Sequence, residues 1–305
     1  MIEILGKGAE GIVAKGIPIL GKSIKLFKIT DYNCVWNEEL KNHLFVNRID
    51  KNSVKIEDFN IIDIKDITRK EDLKIIKEFG FNDRIAQIIY NLQYEGIDLN
   101  NIFKTKKTLS DILKLSISLF ESLKIYISNN FIHSDIALKN IIYLPKKNKL
   151  TFIDFSTFTN YCDIYDYNYN TKRYRYLTDI CPPDFLIKYY KQKKSTFQTF
   201  FRRYKKTFSY QIMSYYFLNI DEQLLDLWNN NYTDPNRYDT FCLSINLLTV
   251  LRIYFFEYNT KIGDINYVEN FFKQILFPSI SINPTNRLSI DDIIIRIRNL
   301  KENLK

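Results

Sequence analysis

The chain has 305 residues, beyond the roughly 100 to 200 of one domain, and 46% are hydrophobic and 15% aromatic, which excludes disorder and predicts two lobes or two small domains. Lysine and arginine number 44 against 35 acids, a formal charge of +9 that favours anionic partners such as nucleotides, nucleic acid, acidic proteins or a membrane surface. Cys34, Cys162, Cys181 and Cys242 form no CxxC pair, so neither a disulfide framework nor a zinc site is implied. "MIEILGKGAE" has no basic region before an apolar core, and no run approaches the roughly 18 apolar residues of a membrane span. These features read as an intracellular, cytoplasmic protein without a transmembrane segment. Scarce alanine beside abundant Ile, Asn, Lys and Tyr resembles translation of an A+T-rich genome; if that genome is viral, host cytoplasm or virion is the expected place.

In chain order, "IEILGKG", "GIVAKG" and "KSIKLFK" read as strands, "NCVWNEELKNHLFVNRI" as a helix and "RIAQIIYNLQY" as another strand, a small, mostly β lobe. Inside it "LGKGAEGIVAKG" sets Gly6, Gly8 and Gly11 in G-x-G-x-x-G spacing, with Leu5, Lys7 and Val13 beside them. Glycines so spaced let a hairpin backbone lie close over phosphates, where a Cβ would intrude. A plain glycine-rich turn has the same pattern, and a Rossmann turn would lead into helix rather than strand.

A lysine among the apolar residues of "GKSIKLFK" is costly unless its ammonium meets a carboxylate or phosphate, and both Lys25 and Lys28 meet that description. The alternative is an edge-strand lysine in water. The partner carboxylate belongs on the following helix, where Glu38 and Glu39 are adjacent and only one can face inward. Glu39, one turn after Val35, is favoured.

From Thr108 to Asn130, Leu115, Leu119 and Leu123 recur every four residues, with Thr108 or Ser110 as N-cap, predicting a long amphipathic helix. "HSDIALKN" follows. Its Asp135 can accept a hydroxyl proton and its Asn140 can offer an amide oxygen to a metal ion. Strand-like "IIYL", the turn "PKKNK" and "LTFIDF" form a hairpin that returns Asp154 beside Asn140, two oxygen ligands suited to Mg²⁺. Residues 239 to 256, apolar on nearly every face, predict a core helix, and "LSIDDIIIRIRNL" a last helix capped by Ser289.

In this order the glycine-rich loop, strand lysine, H-x-D-x-x-x-x-N loop and Asp-Phe pair resemble the eukaryotic-type protein kinases. "DICPPDF" resembles their A-P-E element with Asp184 in the glutamate's place, "YDTFCLS" their buried helix start with Asp239 as the acid, and "NPTNRLS" supplies Arg287, the family's partner for the A-P-E carboxylate. Lys25 follows "SI" much as the family's lysine follows "AI" in V-A-I-K, which favours it over Lys28. The hinge string "LQYEGIDL" resembles haspin-like kinases. The resemblance implies an α+β, bilobal protein-kinase-like fold: a β-rich N-lobe over 1–92 and a larger α-helical C-lobe over 93–305. It further implies that ATP and Mg²⁺ bind between the lobes, Asp135 deprotonates the acceptor hydroxyl, Asn140 and Asp154 hold the metal, and Lys25 anchors the α- and β-phosphates. Leu92 would be the gatekeeper, with the backbone of Gln93 and Glu95 facing adenine.

The sequence departs from the family at several points. Ser134 replaces the arginine of H-R-D, which argues against switching by an activation-loop phosphate. Ala137 replaces a γ-phosphate lysine, a charge Lys139 is placed to supply; serine/threonine specificity is the default, with tyrosine specificity open. Ser156 replaces the glycine of D-F-G, removing the residue that most readily takes positive φ. An insertion at about 186–232 interleaves basic and aromatic residues, reading either as a surface for nucleic acid or an acidic protein or as a helix with a solvated basic face. The expected activity is a protein kinase acting on protein substrates. A small-molecule kinase of the same superfamily and a catalytically weak scaffold are the alternatives.

Overall fold

A computed structural model describes residues 3–8, 11–16, 25–31, 34–63, 69–70, 73–74, 77, 87–93, 97–99, 102, 108–160, 163, 180–257 and 262–304. The fold is α+β, and the chain divides into two compact units. The first is Met1–Gly96 with Ile153–Ser156, and the second is Ile97–Phe152 with Thr157–Lys305.

The first unit is built on a five-stranded antiparallel sheet in the order β1-β2-β3-β5-β4. Its strands are β1 (Glu3–Gly8), β2 (Gly11–Gly16), β3 (Lys25–Asp31), β4 (Lys55–Ile62) and β5 (Gln87–Gln93), with helix α1 (Cys34–Ile49) between β3 and β4. Alternation puts Ile12 and Ala14 of β2 in the core with Ile29 of β3, all no more than 1% exposed. β4 is a strand the sequence reading lacked. A register shift between Ile56 and Asp58 interrupts the period of two by which such a strand is recognised.

The second unit is mostly helical. Thr108 caps α2 (Leu109–Ser128) in a reciprocal box with Asp111, and Leu115, Leu119 and Leu123 on its inner face are buried. β7 (Phe131–Ile132) pairs with β10 (Thr159–Asn160), and β8 (Ile141–Leu144) lies between β6 (Ile97–Asp98) and β9 (Lys149–Phe152). Then come α3 (Pro183–Gln192), α4 (Phe197–Tyr204), α5 (Phe208–Tyr216), α6 (Ile220–Asn230), α7 (Tyr238–Glu257), α8 (Ile262–Phe271) and, capped by Ser289, α9 (Ile290–Glu302). From Asp239 to Leu248, α7 is buried on all sides, as a helix apolar on nearly every face requires. Among the described residues no helix is long and apolar enough to cross a membrane.

Candidate functional site

In the second unit the loop after β7 carries Asp135 and Asn140. A single turn of 3₁₀ helix, Leu138–Asn140, folds the asparagine back, so that its Nδ2 donates to the backbone oxygen of Asp135 at 3.0 Å and to its Oδ2 at 2.9 Å. With both amide hydrogens committed, Oδ1 is the Asn140 atom left to accept a cation. Asp135 is half-buried, Asn140 buried and Lys139 exposed.

The backbone of this loop is held from α7. Asp239, 1% exposed, accepts the N–H of His133 on Oδ2 at 2.6 Å and that of Ser134 on Oδ1 at 3.0 Å. Burial pushes the Asp239 carboxyl up to about 7, while the two N–H bonds pull it down. About two turns further along α7, buried Asn246 donates to the backbone oxygen of Ile136 at 2.8 Å. Ser134 adopts φ 62, and its Oγ donates to the Thr157 oxygen at 2.5 Å while Thr157 Oγ1 returns a bond to the His133 oxygen at 3.0 Å. Where the kinase pattern has arginine, a short hydroxyl here locks the loop to the segment after Ser156. His133 is fully buried, its ring tilted against Phe152 at 5.4 Å.

Deeper in the same unit, Arg287 Nη2 lies 2.7 Å from Asp184, both side chains 0% exposed. Arg287 also donates Nε to the Ser281 oxygen at 2.8 Å and Nη2 to the Ile282 oxygen at 3.2 Å, and it stacks over Phe241. These backbone carbonyls fix the guanidinium in place.

In the first unit, Lys28 Nζ meets Glu39 Oε1 at 2.5 Å, with side chains 13% and 3% exposed, whereas Glu38 is exposed. Of the two lysines left open by the sequence, Lys28, not the favoured Lys25, is the one seen in an ion pair with the α1 glutamate. Residues three apart on a strand fall on opposite faces. Register gives the reason for the choice: Lys28 stands opposite Val13, which in turn stands opposite Gly6, so Lys28 shares its row with the glycine hairpin. Lys25 pairs with Gly16 in the backbone ladder; its side chain lies outside the described residues. Leu5, Gly6, Lys7 and Gly8 lie on β1, and Gly8 faces Gly11 across the hairpin. In the expected hinge, Leu92 stands opposite Leu26, Gln93 ends β5 opposite Lys55, and Glu95 lies outside the described residues.

Asp154 belongs to this unit although β9 precedes it. The expected lobe boundary at 92/93 thus becomes a division after Gly96 that also takes in Ile153–Ser156. The reason is α1: Glu39, Asn42 and His43 lie at i, i+3 and i+4, one helical face. Asn42 Nδ2 donates to the Phe155 oxygen at 3.0 Å, and the His43 ring tilts against the buried Phe155 ring at 5.2 Å. Desolvation lowers His43 to about 4, so the ring is neutral and donates Nε2–H to the Val54 oxygen at 2.9 Å. Neither Asn42 nor His43 was singled out from the sequence, although their spacing from Glu39 was the available signal.

Asp154 is half-buried with φ 64, and its Oδ1 accepts from Ser156 Oγ at 2.8 Å. The left-handed residue of this segment is Asp154 itself, and Ser156 takes no positive φ. Strained backbone at Ser134 and at Asp154 is of the kind retained at functional sites. Asp154 and Asn140 each offer a hard oxygen, a donor type that fits Mg²⁺. Among the described residues no cluster of three or more His, Cys, Asp or Glu side chains forms a metal centre.

The insertion folds as α4, α5 and α6 beside α3. Phe197, Phe200 and Tyr204 of α4 pack with Trp228 and Tyr210, and Phe200 and Tyr204 are fully buried. Phe200 and Tyr204 therefore serve as core, whereas Tyr215 is exposed. Lys191 bonds the Trp228 oxygen, and Lys205 pairs with Asp221 at 3.1 Å while lying 4.2 Å from the Phe201 ring. Lys194, Arg202, Arg203 and Lys206 are exposed and form no ion pair with a described residue.

No protein-family model matches the chain, and no curated protein matches it in sequence.

Proposed function

We propose that the chain is an ATP- and Mg²⁺-dependent protein kinase of bilobal, protein-kinase-like fold, transferring the γ-phosphoryl group to serine and threonine hydroxyls of protein substrates. The observation that carries the reading is the Asp135–Asn140 pair, two hydrogen bonds on a loop whose N–H groups are fixed by Asp239. A carboxylate so held, half-exposed and oriented by a neighbouring amide, is built to accept the proton of an acceptor hydroxyl as that oxygen attacks phosphorus. The Oδ1 of Asn140 and the carboxylate of Asp154 are the metal ligands of this reading; when bound, Mg²⁺ offsets charge on the phosphate oxygens. Lys28, oriented by Glu39, takes the phosphate-anchoring role first given to Lys25, on the sheet row it shares with Val13 and Gly6. The buried Arg287–Asp184 pair matches the protein-substrate platform of the resembled family and favours protein over small-molecule acceptors.

Transfer of labelled phosphate from Mg-ATP to generic protein substrates, beside Asp135→Ala and Asp154→Asn, tests the proposal. Removing the base is expected to cost about 10²- to 10⁴-fold. Equal incorporation by all three proteins would refute catalysis by this chain, and label found only on a sugar or amino alcohol would refute the acceptor class.

A further inference from the structure

The second unit carries a cleft of about 420 Å³ between the first half of α2, the turn joining β8 to β9, and the end of α9. Lys114, Ile117 and Glu121 follow one another along a single stripe of α2, Lys149 opens β9 directly after the turn, and Arg298 and Lys301 come from α9. The walls are fixed to one another. Ser118 Oγ donates to the Leu115 oxygen at 2.7 Å and accepts the Leu150 N–H at 3.1 Å, tying α2 to β9. Arg298 bonds Glu121 at 2.8 Å, tying α9 to α2.

Four cations thus line the cleft with two carboxylates, Glu121 and Glu302. Arg298 and Glu121 answer each other, while Lys114 and Lys301 form no ion pair with any described residue. Lysines gathered on opposing walls of a concavity repel one another and focus positive potential into it, a cost that an anionic occupant relieves. The space is many times the ~30 Å³ of a water molecule, so a simple ion leaves most of it unfilled. Ile117 and Leu304 add aliphatic surface, and the two wall carboxylates oppose a polymer with a charge at every unit.

We propose that this cleft docks an acidic peptide segment, with Asp or Glu carboxylates meeting Lys114, Lys149 and Lys301 around an aliphatic side chain seated on Ile117 and Leu304. The inference stands without the phosphoryl-transfer reading; within that reading the segment belongs to the protein substrate. The test is anisotropy of a fluorescein-labelled peptide of Asp and Glu around a central Leu, titrated with the full chain. Saturable binding is expected. The exposed-side substitutions Lys114→Glu and Lys301→Glu together weaken it about tenfold. Neither Asp135→Ala nor Arg202→Gln/Arg203→Gln/Lys206→Gln changes it, which separates docking from catalysis and from the insertion. A Lys-rich peptide of the same design binds the doubly reversed variant better than the original chain. Equal affinity of the two proteins for the acidic peptide overturns the proposal, as does loss caused by the insertion substitutions instead. Tighter binding of an oligonucleotide, lost with the same two reversals, also overturns it by making the cleft a nucleic-acid groove.

Discussion

Replacing Lys28 by methionine removes the cation from a carboxylate that is only 3% exposed. Breaking a buried ion pair costs about 3 to 5 kcal/mol, because a charge held away from water loses a counter-ion. The 13% exposure of the Lys28 side chain lets some solvent in and sets the expectation at the low end, about 3 kcal/mol. Lys28→Met/Glu39→Leu removes both charges and leaves apolar groups of similar volume, so most of the stability returns, with a coupling of about 2 kcal/mol. Urea unfolding of the original chain, the two single variants and the double variant measures this, and the KM for Mg-ATP is read on the same proteins. Lys28→Met is expected to lose phosphoryl transfer and Lys25→Met to retain most of it. A coupling within about 0.5 kcal/mol of zero would refute the pairing as a stabilising unit. Transfer abolished by Lys25→Met and spared by Lys28→Met would return the anchoring role to Lys25.

The raised Asp239 carboxyl makes a pH-dependent prediction. Its ordinary value is 3.8 and its value in the fold about 7, so across that window the folded chain keeps a proton the unfolded chain has released. Stability contributed by this group therefore falls as pH rises, by about 1.4 kcal/mol per unit, and is flat on either side. Asp239→Asn removes the slope while mismatching one of the two loop N–H groups, so its deficit against the original chain should shrink from pH 4.5 to 8; a constant deficit would contradict the assignment. Arg287→Met should destabilise the second unit by about 3 to 5 kcal/mol in thermal or urea unfolding, with Asp184→Leu restoring most of it. Arg287→Lys should rescue poorly, since an ammonium cannot reproduce the donations to Asp184, Ser281 and Ile282 together.

What the sequence made legible were the features with periodic or capping signatures. The four-residue leucine spacing and Thr108 anticipated α2, apolar residues on nearly every face anticipated α7, and Ser289 anticipated the start of α9. Asp239 was identified by position, and the structure adds what it does, which is to accept two loop N–H groups. Register was harder to read. The choice between Lys25 and Lys28 depends on which face of β3 meets α1, and that is set by pairing with Val13 across the sheet rather than by the neighbours of either lysine. Backbone strain leaves no mark in residue type when it falls on serine or aspartate, so the positive φ of Ser134 and Asp154 was not legible. The aromatic residues of the insertion looked as suited to stacking bases as to forming a core, and only burial of Phe200 and Tyr204 decides for the core. The cleft beside α2 joins residues from 110 to 304, a separation no local pattern encodes.

The most direct test of the proposed function is calorimetric titration of ATP into the full chain with and without Mg²⁺, repeated on Asn140→Ala and Asp154→Asn. Magnesium should tighten ATP binding to the original chain, and that gain should vanish in both variants. Identical ATP affinity in all three proteins, with magnesium making no difference to any of them, would contradict the assignment of these two side chains to a metal–nucleotide site.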